Sequence, residues 1–548
     1  MNARTTIYRA RSILTMNPNR PRATHVAVRD GIVLGAGALG ELAAWGEYTL
    51  DERFADKVLM PGFVEGHSHA MEGSSWRFPY VGFHDRMDPD GRVWPGARTL
   101  DQVVERLREA EARIDDPEQA LIAWGFDPIY FRDRRCNRSD LDRVSSTRRI
   151  AVMHASYHII NTNSAGLAAL DWLRTGIDHP GIPLGNDGLP TGELKGPEPM
   201  AAIQAATRMG RDFMIADDDA LRRFGRLAIR TGVTTATDLA NPLTDATVER
   251  MLETTAASEY PLRVVPLLRP MQMTPAQSVE RALALRARST ERLDLGRIKL
   301  VADGSIQGFS ARLRAPGYVN GAPNGLWYTA PEVLRETIEH ALAGGVLVHI
   351  HTNGDEATEL VLDTMEAALA RHPAFDHRFT LQHCQLADAA QFRRMKALGM
   401  SVNLFANHVF YWGEEHIAQT VGLERAERMN ACATAIETGV PFAIHSDAPV
   451  TPMAPLFTAW CAVNRRTSAG RLLGRAQRIP VDAALRAITI GAAATLKLDG
   501  RVGSIATGKC ADFAVLDADP LEVDPGELKD IPVWGTVQQG RVFEAARA

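Results

Sequence analysis

Cysteine is scarce in this sequence: five residues in 548, at positions 136, 384, 432, 461 and 510, scattered and with no C-x-x-C pair. An odd, dispersed set excludes a disulfide framework and a cysteine zinc knuckle, and it fits a reducing compartment. Long apolar runs are missing too. No stretch approaches the ~20 apolar residues that a membrane-spanning helix requires. The start, Met1-Asn-Ala-Arg-Thr-Thr-Ile-Tyr-Arg-Ala-Arg11, lacks the apolar core of a secretory signal. A cytoplasmic protein with no membrane partner is therefore expected. Nor is there an excess of charge of one sign: 61 basic side chains face 66 acidic ones, a net charge of −5. That balance gives no global electrostatic reason to bind nucleic acid. Internal repeats and low-complexity tracts are absent as well.

What is present is ordinary globular composition, 45% hydrophobic and 23% charged, which excludes a disordered chain. A chain of this length buries a large core without disulfides. Its two ends read as strands. Ala27-Val-Arg-Asp-Gly-Ile-Val-Leu34 sets Asp30-Gly31 between apolar runs, a type I′ hairpin signal, and Val537-Gln-Gln-Gly-Arg-Val542 repeats the pattern near the other end. With Asp512-Phe-Ala-Val-Leu516, they predict one small β domain assembled from both termini.

The middle alternates short apolar runs with amphipathic stretches. The runs are 233–238, 262–267, 298–303, 346–351, 379–383, 401–404 and 442–447, and Val58-Leu59-Met60 supplies an eighth. Between them lie helical patterns such as Pro331–Leu342, where Leu334, Ile338 and Leu342 repeat at four and Gly344-Gly345 stops the helix. Steady strand–helix alternation predicts an α/β protein with a parallel sheet covered by helices, and eight units predict a (β/α)8 TIM-like barrel. Residues 71–215 break the rhythm and read as a large insertion after the first barrel strand, at the functional face. The expected divisions are 1–56 and 497–548 for the terminal domain, 57–70 for the first barrel strand, 71–215 for the insertion and 216–496 for the rest of the barrel.

His67-Ser68-His69 follows an apolar strand and a Pro-Gly turn, so its two imidazoles share a face and can reach one metal. Alone, the pattern fits a polar loop equally well. His351, His383 and Asp447, however, close three other apolar runs, and in a barrel such ends converge on one mouth. Histidines and a carboxylate at one rim are the donor set of zinc and related divalent ions. Lys299 shares a strand face with Val301 and Asp303. A buried ammonium there needs an ion pair, with Asp303 the obvious partner, or carbamylation into an anionic oxygen ligand.

Leu59-Met-Pro-Gly-Phe-Val-Glu-Gly-His-Ser-His69 resembles the first-strand signature of the amidohydrolase superfamily. The chain as a whole resembles its N-substituted formamide deformylase-like branch, amidohydrolase family 3. The likeness runs through Gly125-Phe-Asp127, His158 with Asn163-Ser164, Asp187-Gly-Leu-Pro-Thr-Gly192, Lys299-Leu-Val-Ala-Asp-Gly-Ser305, His351-Thr-Asn-Gly-Asp355, Leu381-Gln-His383 and Ser446-Asp-Ala-Pro-Val450. The resemblance implies a barrel with a small β-sandwich built from both termini. It implies that His67 and His69 bind one metal and His351 and His383 another, with carbamylated Lys299 bridging them. Asp447 would touch a metal and the catalytic water as general base, and His158 would contact substrate or oxyanion. One or two divalent ions per chain are expected, zinc first. The substrate is expected to be a small molecule carrying an amide, N-acyl or N-formyl amine.

Two departures bear on the pocket. The family's Leu-x-Glu is here Leu194-Lys195-Gly196, and its Glu-His before the last imidazole is Gln382-His383. The same scaffold also serves deaminases, lactonases and decarboxylases, and a non-catalytic binding protein on the barrel is the remaining alternative. A homodimer or higher homo-oligomer is the default assembly. Trp76, Trp94, Tyr411 and Trp412 read as core or as an aromatic pocket, Asp303 and Asp355 as turn residues, and 132–138 as an Arg-rich solvated surface.

Overall fold

A computed structural model of the chain describes residues 4–131 and 135–546. At its centre lies a sheet of eight strands: β1 Phe63–Glu65, β2 Val233–Asn241, β3 Arg263–Leu268, β4 Ile298–Val301, β5 Val348–Thr352, β6 Thr380–His383, β7 Ser401–Leu404 and β8 Phe442–Ile444. They pair in sequence order, every neighbour parallel. Their side chains are almost entirely buried, as helix-covered parallel strands require. The sheet curls until the segments beyond its two edge strands meet. His69 N donates to Ala448 O at 2.7 Å and Asp447 N to His67 O at 3.1 Å.

The connecting helices follow from their sequences. Pro331–Ala343 buries Leu334, Ile338 and Leu342 and ends at Gly344. Asp218–Thr231 is capped by the Asp217 carboxylate and terminates at Gly232, whose left-handed φ of 77° turns the chain straight into β2. A Cβ at Gly232 would lie 2.9 Å from the Phe63 ring, so the close approach also demands glycine.

The two termini build one continuous seven-stranded sheet, in the order 541–544, 533–538, 513–516, 48–61, 5–14, 22–29, 32–37. Both hairpins have the expected left-handed pair, Asp30-Gly31 and Gln539-Gly540. The strands hydrogen-bond into one sheet rather than two separate facing ones, because the 14-residue strand Tyr48–Pro61 pairs with strands from both ends of the chain. Val58–Met60, read above as the first barrel strand, belongs to that long strand: Leu59 pairs with Val515 and Met60 with Ala514. The barrel strand is the next segment, Phe63–Glu65, after the turn at Gly62.

Residues 71–215 contain a four-stranded sheet of their own, from Leu121–Phe126, Ile150–His154, Ile159–Thr162 and Glu193–Lys195. It is anchored to the barrel side by the buried Arg86, which pairs with Glu72 at 2.7 Å and donates to Pro449 O at 2.6 Å and Thr451 O at 3.3 Å. Of the Arg-rich stretch, 132–134 lie outside the described residues. Arg135 pairs with Glu193 at 2.6 Å, and Arg138 with Asp187. Among the described residues no helix is long and apolar enough to cross a membrane, and the five cysteines are free and buried.

Candidate metal centre

His67 and His69 lie just past β1, Lys299 on β4, His351 on β5, His383 at the end of β6 and Asp447 three residues beyond β8. Curling the sheet brings all six to one cavity at the carboxyl ends of the strands, with a volume of about 340 Å³. His158 joins them from the insertion, its ring 5.2 Å from that of His351. Nε2 of His67 and Nε2 of His69 each lie 3.2 Å from the same Asp447 oxygen, Oδ1. The other Asp447 oxygen is 3.7 Å from His383 Nδ1. The rings of His67 and His383, and of His383 and His351, are 4.5 Å apart. His383 and Asp447 hold left-handed backbone, φ 68° and 54°. For non-glycine residues that geometry costs about 1–3 kcal/mol and collects at functional sites.

The ring nitrogens turned away from the centre have partners that fix their protons. His69 Nδ1 donates to Leu239 O at 2.5 Å and His351 Nε2 to Gly304 O at 3.1 Å, since a carbonyl only accepts. His67 Nδ1 meets Gln382 Oε1 at 2.7 Å. Each ring therefore presents its other nitrogen to the centre, the arrangement that orients metal-binding imidazoles. Burial holds His67, His351 and His383 neutral, well below the usual imidazole range, and neighbouring cationic groups reinforce it. Burial alone would raise the Asp447 carboxyl, but the hydrogen bond from His69 and the positive fields of His69, His445 and Lys299 keep it below its ordinary value. Burial pushes the Lys299 ammonium down to about 7.

These donors fit a divalent cation. His383 Nδ1 and Lys299 Nζ are buried without a hydrogen-bond partner, and a polar group buried unpaired is costly unless something else engages it. Of the two alternatives for Lys299, the ion pair with Asp303 is not formed. Asp303 instead accepts from the backbone N–H groups of Arg312, Asn353 and Gly354 at 2.8–2.9 Å, a loop-binding role. Asp355 likewise pairs with Arg425 at 3.0 Å.

His445, two residues before Asp447, stacks on His67 at 4.7 Å, and its two buried ring nitrogens have no partner among the described residues. Two residues of the centre escaped the sequence reading. Tyr328 lines the cavity, and its hydroxyl donates to His158 O at 3.3 Å. Arg269, directly after β3, lines the same wall. The rule that found His351 and His383, inspecting the end of each apolar run, would have found Arg269 as well. None of Trp76, Trp94, Tyr411 and Trp412 lines this cavity. Gly196, which replaces the family's glutamate register, has φ 82° and starts the helix Pro197–Ala206, a left-handed position that suits glycine. Glu193 is occupied by Arg135 and Lys195.

A curled eight-stranded parallel sheet with a histidine–carboxylate–lysine cluster at its carboxyl edge defines the class of barrel hydrolases. Residues 55–543 match the amidohydrolase family, and the chain belongs to it. It is 27% identical over 545 residues to the putative amidohydrolase YtcJ of Bacillus subtilis (strain 168), covering 97% of each chain. It is 26% identical over 502 residues to the N-substituted formamide deformylase of Arthrobacter pascens, covering 88% of each. In fold it is similar to an uncharacterized metal-dependent hydrolase from Pyrococcus horikoshii OT3, with a TM-score of 0.72 and 19% identity over 95% of this chain and 99% of that one.

Proposed function

We propose that the protein hydrolyses a carbon–nitrogen bond, taking a small N-formyl or N-acyl amine as substrate with the help of one or two divalent ions, zinc first. The observation that carries this reading is the convergence of His67 Nε2 and His69 Nε2 on one oxygen of Asp447, beside the unpartnered Lys299 and His383. The likeness to a formamide deformylase supports the choice of bond. His67, His69, His351 and His383 would hold the metal, with Lys299 as a carbamate between them. A divalent ion there supplies Lewis acidity, which makes water acidic enough to attack near neutral pH and draws charge from the scissile carbonyl.

The chain's own groups do the rest. Asp447, ionised at neutral pH, takes a proton at its carboxylate from the attacking water and returns it to the departing nitrogen. His158, which burial pushes down to about 4, is neutral at neutral pH and positions the carbonyl oxygen as a hydrogen-bond donor. The insertion lines the cavity beside these groups with Met200, Met214 and Tyr157. The test is metal analysis of protein purified without chelators, with a screen for amine release from N-formyl and N-acyl amines. Release that stops on chelation, returns with zinc and is lost in Asp447→Asn is expected. Protein that takes up no divalent metal and releases no amine overturns the proposal.

A further inference from the structure

The cavity wall carries two ionisable groups that the reaction above does not use: Asp238, which is occupied by Ala70 N and Asn241 Nδ2 at 2.9 and 2.7 Å, and Arg269. Arg269 stands at the first position after β3 and lines the cavity alongside His67, His69, Lys299, His351, His383 and Asp447. Its backbone is fixed: Arg269 N donates to Asn241 O at 2.8 Å, and Leu268 N to Arg297 O at 2.9 Å. Its guanidinium, by contrast, makes no ion pair or side-chain hydrogen bond among the described residues, whereas Arg263 on the same strand is paired with Asp512 at 2.6 Å. The neighbours it acts on are cationic or neutral. Its field helps push down Lys299, His158 and His351. Asp447, the carboxylate of the cluster, faces His67 and His69 at 3.2 Å rather than Arg269.

An arginine does not shed its proton, so a part-buried guanidinium without a partner at the cavity wall is an open site for an anion. One side of that wall is apolar and adaptable, with Met71, Met200, Met214, Met271, Ile215 and Leu239, beside the polar side chains of Gln204, Asn241 and Thr247. The cavity thus offers three chemistries side by side: a hydrolytic cluster, a single cation and a methionine-rich apolar surface. A volume of about 340 Å³ suits a compact small molecule.

We propose that Arg269 binds the carboxylate of the substrate, which makes the substrates N-formyl or N-acyl amino acids rather than neutral amides. This rests on the carbon–nitrogen hydrolase reading and narrows it. A single planar guanidinium matches a carboxylate in both charge and bidentate geometry. The methionine-lined side then takes the amino-acid side chain or the acyl chain.

The experiment compares matched pairs, each an N-formyl or N-acetyl amino acid and its uncharged carboxamide, on zinc-loaded wild type, Arg269→Gln and Arg269→Lys. Steady-state kcat and KM are measured beside calorimetric binding of the same acids and amides, with metal content as a check that the cluster is intact. Wild type is expected to favour the acid by roughly 10- to 100-fold, expressed in KM and in binding, the scale of a charge-assisted bidentate contact. In Arg269→Gln the acid-to-amide ratio collapses towards one, and Arg269→Lys restores part of it. A wild-type ratio near one, or a ratio unchanged in Arg269→Gln, overturns the proposal. If no compound is cleaved but the acids bind in an Arg269-dependent way, the anion site stands and the bond assignment falls. Acids that bind no better than amides remove the anion site whatever is cleaved.

Discussion

Gln382 Oε1 lies 2.7 Å from His67 Nδ1, and the same amide's Nε2 lies 2.7 Å from His349 Nδ1. The chain of contacts has one consistent assignment of protons. His349 Nε2 is 2.9 Å from the Thr495 carbonyl, which can only accept, so His349 carries its proton there and its Nδ1 must accept. Gln382 Nε2 supplies that hydrogen. Its Oε1, which also accepts from Asn403 Nδ2 at 3.0 Å, then receives the His67 Nδ1 proton and leaves the His67 Nε2 lone pair facing Asp447. A glutamate at this position would accept from His67 but offer His349 nothing, so the departure from the family's Glu-His suits a buried neutral relay.

That relay predicts a graded series. Gln382→Leu removes both contacts and is expected to weaken metal affinity by roughly 10- to 100-fold, the usual effect of losing the partner of a metal-binding imidazole. Gln382→Glu keeps one contact and should fall between the two. Competition titration with a chromogenic zinc chelator reads the order directly. Equal affinity in all three would remove Gln382 from any orienting role.

Lys299 supplies a second prediction. Its Nζ is buried without a partner in the midst of the histidines, so truncation removes a group that only a metal bridge would engage. Elemental analysis of Lys299→Ala should show metal falling from about two ions per chain to one or fewer, if the side chain bridges as a carbamate. In the wild type, growth with 13C-labelled bicarbonate should give a carbamate carbon signal that the variant lacks. Unchanged metal content would confine the lysine to an electrostatic role.

Particular residues show how much could be read from the chain alone. The ends of apolar runs located His351, His383 and Asp447 because side-chain chemistry at a strand's carboxyl end is a local property. The Asp30-Gly31 and Gln539-Gly540 hairpins were legible because their turns demand left-handed backbone. Val58–Met60 was assigned to the wrong sheet, since an apolar run does not reveal its partner, and Phe63–Glu65 is too short to show a pattern. The strands of the insertion, interrupted by polar loops, gave no rhythm. Whether Lys299 would meet Asp303 or the histidines depended on which backbone N–H groups Asp303 would satisfy, a tertiary fact.

His84 predicts the response to acid. Its Nε2 is shielded and unpartnered, among the rings of Phe83, Tyr130 and Tyr411 at 4.9–5.2 Å. Burial, helped by Arg98 and opposed by Asp85, pushes its pKa down to about 4. The folded chain therefore refuses a proton that the unfolded chain accepts from about pH 6.5 downwards, so stability is lost as pH falls from there towards 4. One such proton contributes a slope of about 1.4 kcal/mol per pH unit across that window. His84→Phe removes the proton and fits the aromatic surroundings. Chemical denaturation at several pH values should show the variant with the shallower slope, and parallel slopes would refute the assignment.

The last prediction concerns how the terminal sheet is fastened to the barrel. Arg263, at the start of β3, is fully buried and paired at 2.6 Å with Asp512, which leads into the strand Phe513–Leu516. Arg263 also donates to Glu291 O at 2.9 Å and Thr235 Oγ1 at 3.1 Å, and Asp512 Oδ1 accepts from Gln539 N at 2.8 Å. Desolvating both charges absorbs much of their attraction, so the pair adds little net stability over an apolar replacement, whereas removing one partner strands the other. Asp512→Ala is therefore expected to cost about 3–5 kcal/mol. The double variant Arg263→Met/Asp512→Ala should be less destabilised than the sum of the two single variants, because the coupling is lost only once. Denaturant unfolding of the three variants closes the cycle. Strict additivity would mean that the two charges do not hold the sheets together through each other.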